Sequence, residues 1–198
     1  MFATTKTLPQ TQPRSVYAPS PIVHSTHRMY ASDAGFTNPS ALARQAHDAM
    51  SLGTSALTQG NADKAQTHLE HALQLHPTSD THYNMGICQY MLKNIDRAIE
   101  HWKKSVQMDP HGADAYVSLG NAYFLSKKES GMAIEYMQKA MELAPSDPEI
   151  QFNLACMHES QGSLNQAIEL YNKAVSNGLE RAQPYLRNAM AKRMKQNI

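Results

Sequence analysis

The chain reads as an all-α, right-handed superhelical solenoid of four helix pairs plus a C-terminal capping helix, preceded by an extended arm rich in Pro, Ser and Thr. Three observations predict this. Small residues recur in the middle of each first helix, at Gly53, Gly86, Gly120 and Ala155, in steps of 33, 34 and 35. Alanines recur early in each second helix, at Ala65, Ala98, Ala133 and Ala167, in steps of 33, 35 and 34. Pro77, Pro110 and Pro145 close the first three units, because proline lacks the amide hydrogen that a continuing helix needs. No unit can bury its own apolar stripe, so each must stack on a neighbour. Such a stack offers a curved binding surface rather than a catalytic pocket.

The elements follow in order. Residues 1–38 hold Pro9, Pro13, Pro19 and Pro21 among many Ser and Thr, with one acid, Asp33, against Lys6, Arg14 and Arg28. They show no helical periodicity and cannot form a core, so an extended or disordered arm is expected. Two uses are open for it. It could dock on a partner through Tyr17, Pro19, Pro21, Ile22, Val23 and Tyr30. It could instead be a cleavable mitochondrial targeting segment, since Arg28-Met29-Tyr30-Ala31-Ser32 resembles a matrix-processing site, although the prolines spoil an amphipathic presequence helix. Asn38 then caps a helix, with Pro39 at its first position.

The solenoid is expected over residues 39–179, with units at about 43–77, 78–110, 111–145 and 146–179. In each, the small residue faces the alanine of the second helix, so the two backbones approach closely. A larger apolar residue stands one helical turn after the alanine (Leu69, Trp102, Met137, Tyr171), followed three residues on by a small one (Ala72, Ser105, Ala140, Ala174). Asn61 and Asp63, like Asn94 and Asp96, are turn residues opening second helices. The third hinge, residues 127–131, carries one extra residue. Residues 180–198 form a basic capping helix, with Tyr185, Leu186, Ala189 and Met190 at inward spacing and Arg187, Lys192, Arg193 and Lys195 on a solvated face.

Met85-Gly86 and Leu119-Gly120-Asn121-Ala122-Tyr123, taken with the alanine, the following bulky residue and the closing proline, resemble the tetratricopeptide repeat. The resemblance covers about 137 of the 198 residues. It is strongest over 82–110 and 115–145. The first unit has Ala49 and Ala56 where bulkier residues are common, and the fourth has Ala155 and Leu179 in place of glycine and proline. The resemblance implies a non-enzymatic adaptor or scaffold that holds a protein or peptide segment in a concave groove, within a larger multi-protein complex. The chaperone-binding branch of the family grips a carboxylate with groove cations. Here those positions hold Met50, Thr54, Tyr83, Val117 and Asn121, so no such clamp is expected.

Composition narrows the reading further. A formal net charge of +1 carries no general nucleic-acid footprint. No apolar run approaches the roughly 20 residues of a membrane span, and the N-terminus lacks the apolar core of a secretory signal. Cys88 and Cys156 lie two units apart, beyond the ~7 Å between Cα atoms that a disulfide allows, which suits packed thiols in a reducing compartment. There is no phosphate loop, Cys-x-x-Cys pair or nucleophile motif, so neither catalytic residues nor a cofactor is expected. His68 and His71, with His76 beyond, flank the inward Leu69 and Ala72 and should face solvent. A zinc site wants three or four converging ligands, so no metal is expected.

The expected partner surface is the face of the first helices. Helical spacing places Met50 and Thr54 there, then Tyr83, Asn84, Ile87 and Tyr90, then Val117, Ser118, Asn121 and Phe124, then Phe152, Asn153 and Cys156. An exposed apolar strip of this length marks a partner site, though some of Tyr83, Phe124 and Phe152 could pack between helices instead. Asn84 and Asn153 occupy equivalent points, with Ser51 and Ser118 in the other two units. An asparagine amide can donate to and accept from a peptide backbone at once. The expected location is cytoplasmic or cytoskeletal. A mitochondrial assembly factor in the matrix and a structural component of a cytoskeletal or axonemal complex are the alternatives.

Overall fold

A computed structural model describes residues 39–196. The arm, its candidate anchors, its processing site and Asn38 lie outside the described residues. Nine α-helices follow one another: α1 (Pro39–Thr58), α2 (Ala62–Leu75), α3 (Ser79–Met91), α4 (Ile95–Met108), α5 (Ala113–Ala122), α6 (Ser130–Leu143), α7 (Pro148–Ser160), α8 (Leu164–Ser176) and α9 (Gln183–Gln196). The closest packing is within the pairs α1–α2, α3–α4, α5–α6 and α7–α8, and each second helix also packs on the first helix of the next pair. This is the predicted solenoid.

The small residues explain how closely the pairs approach. A Cβ built on Gly53 would lie 2.7 Å from Leu69 Cγ, and one on Gly120 would lie 3.1 Å from the Ala133 carbonyl oxygen. On Gly86 it would collide with the Trp102 indole. In these three pairs the bulky residue one turn after the alanine (Leu69, Trp102, Met137) therefore sits directly over the glycine. Trp102 is completely buried there, and its indole N–H donates to the Tyr83 carbonyl at 3.2 Å. That bond satisfies the one polar atom of a ring whose burial dominates the local core.

Helix starts are set by side chains. Asn61 accepts from the Lys64 amide at 3.1 Å, Thr78 from the Thr81 amide at 3.1 Å, and Asp147 from the amides of Glu149 and Ile150. Each such cap contributes about 1 kcal/mol. Asn94 holds the equivalent place before α4 but makes no cap bond; its amide donates instead to Gln89 at 3.0 Å. The extra residue of the third hinge is absorbed locally. The interval from small residue to alanine is 12 in the other units and 13 from Gly120 to Ala133. There α5 runs on into a π-helical turn, Tyr123–Lys127, which ends at Lys128 in the left-handed region (φ 60). A π turn is how a helix accommodates one inserted residue without losing its register on either side.

A 3-10 turn, Glu180–Ala182, leads into α9. Ala189 stands 22 residues after Ala167, as Gly120 does after Ala98 and Ala155 after Ala133, and it is fully buried. The capping helix is thus the first helix of a fifth unit with no second helix described after it. Leu186 packs inward as expected, whereas Met190 is exposed along with Met194. At the other end Leu52, equivalent to the buried Met85, Leu119 and Leu154, is 55% exposed on α1, the first helix among the described residues.

Candidate functional site

The first helices α3, α5 and α7 are sandwiched between their own second helices and the neighbouring units. Burial therefore reaches most of their circumference, polar residues included. Asn84 is 1% exposed, Asn121 6% and Asn153 4%. The Asn84 amide donates to the Thr54 hydroxyl at 3.2 Å, and that hydroxyl donates to the Met50 carbonyl at 2.9 Å. The side-chain carbonyl oxygens of Asn84, Asn121 and Asn153 all lack a partner. A buried acceptor left unpaired costs about 1–3 kcal/mol, so three of them on one surface call for an explanation. Asn84 and Asn153 stand two residues before the small residue of their helix; Asn121, like Thr54, stands one after it. The Asn84–Thr54 contact joins those two positions across adjacent units.

The apolar part of the expected strip is shorter than helical spacing implied. Tyr83 (4% exposed), Ile87 (1%) and Phe152 (1%) are buried. Phe152 packs edge-on against Tyr185 with centroids 4.9 Å apart and against Tyr171 at 5.6 Å, while the Arg181 guanidinium lies 5.3 Å above its ring. Burial pushes the Tyr83 hydroxyl well above the usual phenol range, opposed by its bond to Ser118. The physical reason is local packing: Tyr171 of its own pair and Tyr185 of the following helix close over Phe152, whereas Met50 and Val117, also three before a small residue, are less covered. Met50, Tyr90, Val117 and Phe124 remain half-buried and form the outward apolar surface. Met50 sulfur accepts from the Thr81 hydroxyl at 3.4 Å, and the Tyr90 ring lies 5.9 Å from Trp102. Thr54 is buried within the Asn84 network, and Cys156 is half-buried.

Lys and Arg are unevenly shared between the two helix sets, a signal present in the sequence that spacing arguments overlooked. Helices α3, α5 and α7 contain no Lys or Arg, and their acids are Asp80, Asp114, Glu149 and Glu159. The second helices carry Lys64, Arg97, Lys103, Lys104, Lys139 and Lys173. Two of the first-helix acids are met by cations from the C-terminal segment: Arg181 pairs with Glu149, and Lys192 with Glu159 at 2.7 Å. Glu159 also accepts from the Tyr171 hydroxyl at 2.7 Å, which lies 3.2 Å from Cys156 sulfur.

The remaining reactive groups are scattered. Cys88 and Cys156 are free thiols. Cys88 donates to the Ala62 carbonyl, and burial raises its thiol to about 11. His68 is half-buried, while His71 and His76 are exposed. Among the described residues no three or more His, Cys, Asp or Glu are grouped to hold a metal. His82 and His101 meet Nδ1 to Nδ1 at 3.0 Å, and both are held below the ordinary imidazole range, first by burial. Among the described residues no helix is long and apolar enough to cross a membrane.

The tetratricopeptide-repeat pattern matches residues 79–111, 113–147 and 131–187, together more than half of the chain. The chain belongs to the tetratricopeptide-repeat family. Its repeats are of a non-catalytic, protein-interaction type. The tetratricopeptide repeat-containing protein trd-1 of Caenorhabditis elegans is 26% identical over 131 residues, covering 66% of this chain and 17% of its own. The chain thus spans about a sixth of that relative's length. A crystal structure of MamA superposes with a TM-score of 0.62 at 26% identity, covering 78% of this chain and 94% of that one. The APC/C hetero-tetramer Cut9–Hcn1 reaches 0.67 at 17% identity, covering 73% of this chain and 30% of that one, and shares the fold.

Proposed function

We propose that these repeats form a non-enzymatic adaptor that holds an extended segment of a partner protein along the first helices, within a larger assembly. The observation that carries this reading is the outward apolar surface left by Met50, Tyr90, Val117 and Phe124 on successive first helices, above the buried asparagines Asn84, Asn121 and Asn153. An exposed apolar surface of this kind marks a partner site. Thr54 orients Asn84, and Tyr83, Ile87 and Phe152 support the face from beneath. That an assembly such as the APC/C hetero-tetramer contains the same fold supports membership of a complex.

The test is site-specific photocrosslinking. Benzoylphenylalanine at Val117 or Phe124 should trap a discrete partner segment, and the same group at Lys139 on a second helix should not. Equal trapping at all three positions would remove the first-helix face as the site.

A further inference from the structure

The place that Arg181 fills after the fourth unit is a cavity after the second. Arg181 stands 14 residues after Ala167. It reaches back to α7, pairs with Glu149 six residues before Ala155, and lies over Phe152 three residues before it. The same count from Ala98 arrives at Gly112. On α3, Asp80 stands six residues before Gly86 and Tyr83 three before it. Carboxylate and ring are therefore repeated, and the arginine is replaced by a residue without a side chain. A cavity of about 50 Å³ results, lined by Ser79, Asp80, Tyr83, Asp109, Gly112 and Asp114 among others. Three elements converge there with carboxylates: α3, the α4–α5 turn and α5. No Lys, Arg or His lines it.

Resting on the reading above, we propose that this cavity takes the guanidinium of an arginine on the bound segment, seated as Arg181 is seated two units on. A planar fork suits carboxylates on two sides, and the Tyr83 side chain lines the cavity beside them. Asn84 and Asn121 lie on the same two helices, and their side-chain amides report on this neighbourhood. With Asp80, Asp109 and Asp114 around it and no Lys or Arg on α3 or α5, the surface at the cavity favours a basic segment over an acidic one.

The full chain, labelled with ¹⁵N, is titrated with the capped heptapeptide Gly-Ser-Leu-Arg-Leu-Ser-Gly and with its citrulline counterpart, which keeps the shape and loses the charge. The arginine peptide should move the backbone signals of Asp80 and Gly112 and the side-chain amides of Asn84 and Asn121. It should bind ~10-fold tighter than the citrulline peptide, and that gap should narrow at high salt. Gly112→Arg should abolish binding by filling the cavity from within, whereas Gly112→Ala should retain it. Gly112 has φ −78 and ψ 100, a conformation open to any residue. Asp80→Asn and Asp114→Asn, which leave the backbone untouched, should each weaken binding severalfold. Equal binding of both peptides with the same asparagine signals moving would overturn the arginine site and leave the groove reading intact. A titration in which neither peptide moves these signals also overturns the arginine site, and the crosslinking above then decides the groove separately.

Discussion

Helices α3 and α4 belong to one unit, have 13 and 14 residues, and meet their surroundings in opposite ways. In α4 the buried residues are Ala98, Ile99, Trp102 and Ser105, a single stripe with charged residues on the rest of the circumference. In α3 burial runs almost unbroken from Thr81 to Gln89 and takes in Thr81, Asn84 and Gln89. The same contrast separates α7 from α8. A second helix has one neighbour-facing side and one solvent side, so its sequence is conventionally amphipathic. A first helix is enclosed on several sides, so its polar residues are either satisfied inside or kept for something outside. Asn84, Asn121 and Asn153 are the ones whose carbonyls are not satisfied inside.

The largest expected effect tests the packing that makes this contrast. Trp102→Ala empties the contact between α4 and Gly86 and should cost about 3–5 kcal/mol in denaturant unfolding. Phe152→Ala should fall in the same range, because Phe152 is core rather than an exposed anchor. A loss below about 1 kcal/mol at either site would break the comparison.

Next comes Gly86→Ala. Helix propensity alone would stabilise this exchange by about 1 kcal/mol, yet the new methyl meets the Trp102 indole. A destabilisation of about 1–3 kcal/mol is expected, and a raised melting temperature would refute the close approach.

Acid should act through the histidines that these interfaces enclose. His101 is pushed down to about 4 by burial first, then by His82, Lys104 and Arg97. Its folded-state value lies below the unfolded 6.5, so the unfolded chain binds the proton first. Stability is complete above about pH 6.5 and falls as pH drops from there toward 4. Discounted for partial exposure, the loss is about 1 kcal/mol. His101→Gln should flatten the melting-temperature slope between pH 6.5 and 5, and an unchanged slope would locate the titration elsewhere.

Smaller effects sharpen the two faces. Asn121→Leu should change stability by no more than about 1 kcal/mol, and the sign can favour the variant because an unpaired acceptor is removed. It should nonetheless reduce crosslinking from Val117. Lys139→Ala breaks the exposed pair with Glu142 at 2.7 Å and should cost less than about 0.5 kcal/mol. A larger loss would mean that the second-helix surface is also engaged.

Much of this was legible in the residues. The intervals of Gly53, Gly86, Gly120 and Ala155 disclosed the unit, and the 13-residue step to Ala133 disclosed the inserted residue. The candidate site was legible only in part. Asn84 and Asn153 stood out as equivalent, whereas Asn121 belongs to a different helical position and shares with them only a buried side-chain carbonyl without a partner. The buried state of Tyr83, Ile87 and Phe152 could not be read from helical spacing, because spacing names a side of a helix and not what covers it.

The sequence by itself determined the register of the solenoid, the contact of small on large within each pair, and the absence of Lys and Arg from α3, α5 and α7. These depend on residues within one unit or on simple counting along the chain. The tertiary structure alone decided which parts of the first helices stay open, that α9 begins a fifth unit whose Tyr185 closes over Phe152, and that Gly112 leaves a cavity where Arg181 fills its equivalent. Those outcomes depend on side chains about 30 residues apart brought together by stacking, and no periodicity within a helix encodes what the next unit places against it.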